Sequence, residues 1–312
     1  MDVIKPSPVL KFNENQLQTV RKTLGYEDIN RLKQDIQQFD DWIQKQSHFR
    51  TKNFDPEFLE RLLIYNKGHI ERAKKKFDKL CTCLNLMPDY LIGLDPKHEF
   101  IPLFEVFESF LLPMPTDENY RVVFIVATGR EHEDYQLIHF YRYLFVIIYY
   151  FLTHDYCQGF EIVSDIRKIT AKTITMINPM VLHKGLMLLT DCLGQRIKKI
   201  HFFNNSKFFE AVLFLTKQAL SAKLKERIVV HSDYEGLYNH IPKEHVPKDY
   251  GGDALSVKEL TDNLRKELSS DEHIAYLKFM EQAATDESCR LPCAFNEEYS
   301  GMPGSFKSLT VD

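Results

Sequence analysis

The residues of this chain best placed to do chemistry are cations gathered around an apolar helix. Between Arg196 and Arg227 stand eight Lys or Arg (Arg196, Lys198, Lys199, Lys207, Lys217, Lys223, Lys225, Arg227) against two acids, Glu210 and Glu226, in a chain of formal net charge −4. The segment between them, Lys207 to Leu220, has helical spacing, with Phe208, Val212 and Leu215 on one stripe and Phe209, Leu213 and Leu220 on the next. That face is wider than a helix lying on a sheet requires. Cations framing it suit a surface that meets anionic lipid and covers something apolar. An ordinary core helix with solvated lysines fits the same pattern.

Other chemistries lack their residues. There is no Gly-x-Ser-x-Gly elbow, no Gly-x-x-x-x-Gly-Lys phosphate loop and no Gly-x-Gly-x-x-Gly dinucleotide turn. None of the twelve His forms a His-Glu-x-x-His motif. His240 and His245, with Glu244 between them and Pro242 and Pro247 around them, lack the i, i+4 helical geometry of zinc ligands, so no metal is expected. Cys81 and Cys83 form a C-x-C, and Cys289 and Cys293 a C-x-x-x-C, with no second pair at zinc-site spacing. They read as buried thiols in a reducing compartment. Tyr250-Gly251-Gly252 reads as a structural turn. With no catalytic constellation left, neither enzyme activity nor a cofactor is expected.

Bulk properties agree. Apolar residues at 44% and charged residues at 27% describe a folded protein. The near-neutral charge argues against nucleic acid as a partner. The opening MDVIKPSPVLKF has no apolar h-region, and the most hydrophobic run, Tyr143 to Leu152, is too short to span a bilayer. The expected place is the cytosol, peripheral at membranes.

The elements that must position these residues follow from periodicity. Residues 1–26 read as a loosely packed leader. A helix is predicted from Asp28 to Gln46 on Ile29, Leu32, Ile36, Phe39 and Ile43; a second begins at Asp55-Pro56 and ends at Gly68; a third runs from His69 to Leu84. Lys74-Lys75-Lys76 reads as a solvated face. Pro88 to Pro115, with five prolines, reads as an irregular connector. Then come a buried strand (Arg121 to Ala127), a helix apolar nearly all round (Tyr135 to Thr153), a strand (Gly159 to Asp165) and a helix capped by Asn178-Pro179 and ended by Gly194. The strand Ile200 to Phe203, the helix Lys207 to Leu220 and the strand Ile228 to His231 follow. Helices Ser256 to Leu268 and Asp271 to Ala284 close the fold. This alternation predicts an α/β fold with a mainly parallel sheet. Arg142 and the Tyr hydroxyls of the apolar helix are candidates for polar groups that orient a ligand.

The string IHFFNNSKFFEAVLFLTKQALSAKLKERIVVHSD, followed by HIPKEHVPKDYGGD, resembles the C-terminal half of a CRAL-TRIO lipid-binding domain: strand, gate helix, Lys-Glu-Arg-Ile, then Pro-x-x-Tyr-Gly-Gly. The opening helices resemble the family's N-terminal helical region, with Glu71, Arg72 and Ala73 matching and Ile64 and Asn66 departing where basic or small residues are usual. The ending GSFKSLTVD resembles that of arthropod members of the alpha-tocopherol transfer protein-like branch. The resemblance implies an N-terminal helical region (1–87), a connector (88–119), a CRAL-TRIO domain with its C-terminal helices (120–284) and a tail (285–312).

It also implies a carrier that closes a mobile gate helix over a small hydrophobic ligand and exchanges it at membranes. The implied walls are Phe160, Ile162 and Ser164 from the sheet, Tyr143, Val146, Ala171, Leu188, Leu189 and Leu193 from the preceding helices, and Phe209, Val212 and Leu213 from the gate. Phe208 would meet lipid; Arg196, Lys198, Lys217, Lys223, Lys225 and Arg227 would meet anionic headgroups, phosphoinositides among them. Tocopherol-, retinoid-, carotenoid- and phospholipid-like ligands stay open, since Arg142, Val146 and Ser164 depart from the tocopherol carrier's pattern. The rival expectation is an adaptor module that binds a small GTPase or another protein.

Overall fold

The computed structural model describes residues 4–203 and 207–290. Four helices open the chain: α1 (Gln16–Thr23), α2 (Ile29–Lys45), α3 (Pro56–Tyr65) and α4 (Ile70–Leu86). The Asp28 carboxylate caps α2 by accepting from the Asn30 N–H, and Asp55 caps α3 in the same way ahead of Pro56. Helix α3 ends through Lys67 and Gly68, both at positive φ. The leader departs from expectation because α1 is anchored from afar. Leu17 and Val20 are buried, and Gln16 Nε2 donates to Asp155 and to the Tyr156 carbonyl. Arg21 is paired with buried Glu60 at 2.7 Å.

The connector is also more regular than expected. It holds α5 (Pro88–Leu91), α6 (Ile101–Val106) and an edge strand β1 (Phe107–Leu111). Pro88 and Pro102 occupy first-turn positions, where a missing N–H costs nothing, so they start helices rather than prevent them.

Strand β2 (Tyr120–Ala127) pairs antiparallel with β1 and parallel with β3 (Gly159–Asp165). Between β2 and β3 lies α7 (Leu137–His154), buried along most of its length. Helices α8 (Ala171–Thr175) and α9 (Pro179–Met187), then a π-helical turn at Leu188–Cys192, lead to β4 (Ile197–Phe203). Next come α10 (Phe209–Ala219), α11 (Ala222–Lys225), β5 (Ile228–His231) and α12 (Glu235–Tyr238), and finally α13 (Val257–Leu268) and α14 (Asp271–Glu281). The sheet order is β1-β2-β3-β4-β5, parallel from β2 onward. The α/β architecture is as the alternation predicts.

Register divides the sheet into two faces. Val123, Ile162 and Ile200 form one row, and Ile125, Ser164 and Phe202 the next, on the face covered by α7, α9 and α10. Phe124, Val163 and Phe203 point to the opposite face, covered by Leu237, Ile241, Val246, Tyr250 and Leu260. At the start of β3, Gly159 has φ 143°, and a Cβ there would sit 2.2 Å from the Arg196 carbonyl. Only glycine lets the two strands approach at that point. Among the described residues, no helix is long and apolar enough to cross a membrane.

Candidate functional site

An apolar cavity of about 170 Å³ lies between the sheet and its helical cover. Ile125, Ile162, Ser164, Ile200 and Phe202 form its floor; Tyr141, Leu144, Leu182, Leu186 and Leu189 form its sides; Val212, Thr216 and Leu220 form its roof. The roof residues recur every four positions, so one stripe of α10 faces inward. Among the lining hydroxyls are those of Ser164, Thr173, Thr216 and Tyr135; the Tyr141 hydroxyl, also on this wall, donates to the Leu182 carbonyl at 3.2 Å. A second chamber of about 50 Å³ reaches Phe160 and Phe151 and shares Ile125, Leu144, Ile162, Leu189 and Ile197 with the first.

Of the residues singled out from sequence, Ile162, Ser164, Leu189 and Val212 meet on this cavity, and Phe160 lines the second chamber. Phe209 and Leu213 are buried beneath α10 in the same apolar cluster, Phe209 against Phe202. Leu188 and Leu193 are buried outside the lining, and Ala171 is exposed. Tyr143 packs edge-on against Phe100 and Phe104, and the Val146 carbonyl accepts from His273. Arg142 is engaged elsewhere: it pairs with Glu99 and donates to the carbonyls of Ile92 and Gly93 at 3.0 Å.

Against the end of the cavity lies a larger, solvent-open cleft of about 580 Å³, sharing Leu186, Ile197 and Leu220 with it. Its cations come from two distant parts of the chain. Arg196, Lys223 and Arg227 stand on or beside β4, α11 and β5; Lys67, Arg72 and Lys76 come from the α3–α4 turn and α4. Mutual repulsion falls on Lys67, whose ammonium is held below its ordinary pKa chiefly by Arg196, then by burial and by Lys223, Arg72 and Arg227. Within the described residues, Asp191 is the one acid on the cleft wall, 3.6 Å from Lys76. Arg227 is fixed by donating to the Ile197 carbonyl.

Lys198 is turned away to Glu118 and lies over the Tyr120 ring at 4.6 Å. Lys217 and Lys225 are exposed outside the cleft, and Phe208 is half-buried at the start of α10. Lys67, Arg72 and Lys76 escaped the sequence reading, which took the Lys74–Lys76 run as a solvated face. Their available signal was the i, i+4 spacing of Arg72 and Lys76, which puts both on one side of a helix.

The parallel sheet, the apolar helix roofing a cavity and the strand-to-turn ending at Tyr250-Gly251-Gly252 define a class. Residues 109–252 match the model of the CRAL/TRIO domain. It is similar to the alpha-tocopherol transfer protein-like protein of Homo sapiens, at 25% identity over 272 residues, covering 86% of this chain and 79% of the relative. The Mus musculus counterpart is 25% identical over 255 residues, covering 80% and 73%. Clavesin-2 of Rattus norvegicus is 23% identical over 135 residues, 42% of this chain and 41% of that one. The solved structure of Sfh5 shares the fold, with a TM-score of 0.52 at 14% identity, covering 86% of this chain and 98% of that chain.

Proposed function

We propose that this protein is an intracellular carrier, not an enzyme, that holds a small hydrophobic ligand beneath α10 and exchanges it at anionic membranes. The observation that carries this reading is the junction of an apolar cavity with a six-cation cleft through shared residues at the end of α10. Burying a few hundred Å² of apolar ligand stabilises the complex by several kcal/mol, at about 25 cal/mol per Å². Spontaneous release into water is correspondingly slow, and unloading requires an apolar acceptor. At about 170 Å³ the cavity is smaller than the roughly 300–1,000 Å³ of ordinary ligand pockets, so loading requires α10 to move outward. The cleft cations then hold the opened end against phosphate-bearing headgroups, phosphoinositides included. Tocopherol-like and retinoid-like molecules suit the nearly hydroxyl-only polarity of the wall.

Ligand transfer between vesicles tests this. Lys67→Glu with Arg196→Glu is expected to slow transfer to anionic acceptors at least about tenfold, at about 1 kcal/mol per cation near the surface, and to leave neutral acceptors nearly unaffected. Raising salt shortens the Debye length below its roughly 8 Å at physiological strength and should reproduce the selective loss in the unmutated chain. Transfer indifferent to vesicle charge and salt would contradict the membrane role. An adaptor acting on a protein partner would show no transfer at all.

A further inference from the structure

The face of the sheet opposite the cavity carries a cluster that the carrier reading does not use. His201 on β4 and His231 at the end of β5 both point to this face, stacked with ring centroids 5.1 Å apart. His240, just beyond α12, closes the group at 5.1 Å from His201 and 5.7 Å from His231. One nitrogen from each ring lies within 4.8 Å of the other two. We propose that His201, His231 and His240 form a binding site for a divalent transition-metal ion of the zinc class.

The spacing is close to what an ion needs. Zinc–nitrogen bonds of about 2.0–2.1 Å place tetrahedral ligand atoms about 3.3 Å apart, so small ring rotations suffice. His201 Nδ1 and His231 Nε2 are already 2.9 Å apart. The second ring nitrogen of His201 is engaged as metal-binding histidines require: Nε2–H donates to buried Glu161 at 3.1 Å, leaving Nδ1 for the ion. His240 is half-buried and leaves a path from solvent. The opposing group is Lys199, whose Nζ donates to His240 Nδ1 at 2.8 Å. An ion would take the position of that ammonium, and Lys199 sets how tightly it is held.

Zinc titration of the purified full chain by calorimetry, with far-UV circular dichroism on each variant, decides the matter. One Zn²⁺ per chain is expected. His240→Ala should weaken binding at least about tenfold, and Glu161→Gln about 10- to 100-fold, the usual effect of losing an outer-shell partner. Lys199→Gln should tighten it. If His201 or His231 variants fail to fold, His240→Ala and Lys199→Gln at the half-buried rim still decide. Absence of zinc binding, or binding unchanged in folded His240→Ala, would overturn the proposal and leave the cluster as a hydrogen-bonded imidazole network.

Discussion

His273 shows how a single side chain couples this fold to pH. It sits buried on α14, its Nε2 donating to the Val146 carbonyl of α7 at 3.0 Å and its Nδ1 without a partner among the described residues. Burial, with a smaller contribution from His154, brings its pKa down to about 4. The unfolded chain, with an ordinary imidazole near 6.5, therefore binds more protons than the folded one between these values. Stability is complete above about pH 6.5 and is lost as pH falls toward about 4, by ~3 kcal/mol from this residue. His231 acts in the same window. The Asp165 carboxylate is held below its usual range, against its own burial, by Arg167 and Tyr250, so its contribution is lost only at lower pH. The urea midpoint should fall between pH 7 and 4.5, and His273→Gln should flatten that slope. Equal slopes in the two proteins would contradict the assignment. The same contacts explain why Arg142 and Val146 could not be placed from sequence. Helical spacing puts them on a face of α7, but the partners that occupy them, Glu99 and His273, come from elements 43 and 127 residues away.

At the scale of elements, α9 and α10 each expose a large apolar side chain, which the proposed carrier role would set against a bilayer. Phe214 on α10 is 61% exposed and Met180 on α9 is 52% exposed, while Phe209 and Val212 are buried beneath. Insertion of each exposed side chain into lipid is worth about 1.5–3 kcal/mol at full burial. Phe214→Ser with Met180→Ser should weaken sedimentation with anionic vesicles at least about tenfold and leave the far-UV spectrum unchanged. Undiminished sedimentation would mean that these residues stay in water. Most elements were legible because apolar period and caps agree, as at Asp55-Pro56 and Asn178-Pro179. Strand β1 was not, because Phe107–Leu111 directly follows a proline-started helix inside a proline-rich stretch. The inward stripe of α10 was only half legible. Val212 belongs to it, but Thr216 is polar and an apolar pattern passes over it.

In the whole molecule, helices α2, α3, α4 and α7 share one apolar core, and the α3–α4 turn is thereby brought to the end of the sheet. The basic cleft exists only through that assembly. Lys67 and Arg196 come together although 129 positions separate them, a juxtaposition no local pattern announces. The apolar cavity was easier to anticipate, since alternation along β3 and β4 assigns Ile162, Ser164, Ile200 and Phe202 to one face. Both features serve a carrier only if the cavity takes a ligand. The most direct measurement is to incubate the purified chain with vesicles of mixed lipid, reisolate it, and quantify extracted lipids by mass spectrometry. One apolar molecule per chain is predicted for the wild type. Much less is predicted for Ser164→Trp, whose indole would fill the space beneath α10. A wild-type chain that emerges empty, or one loaded to the same level as Ser164→Trp, would contradict the account.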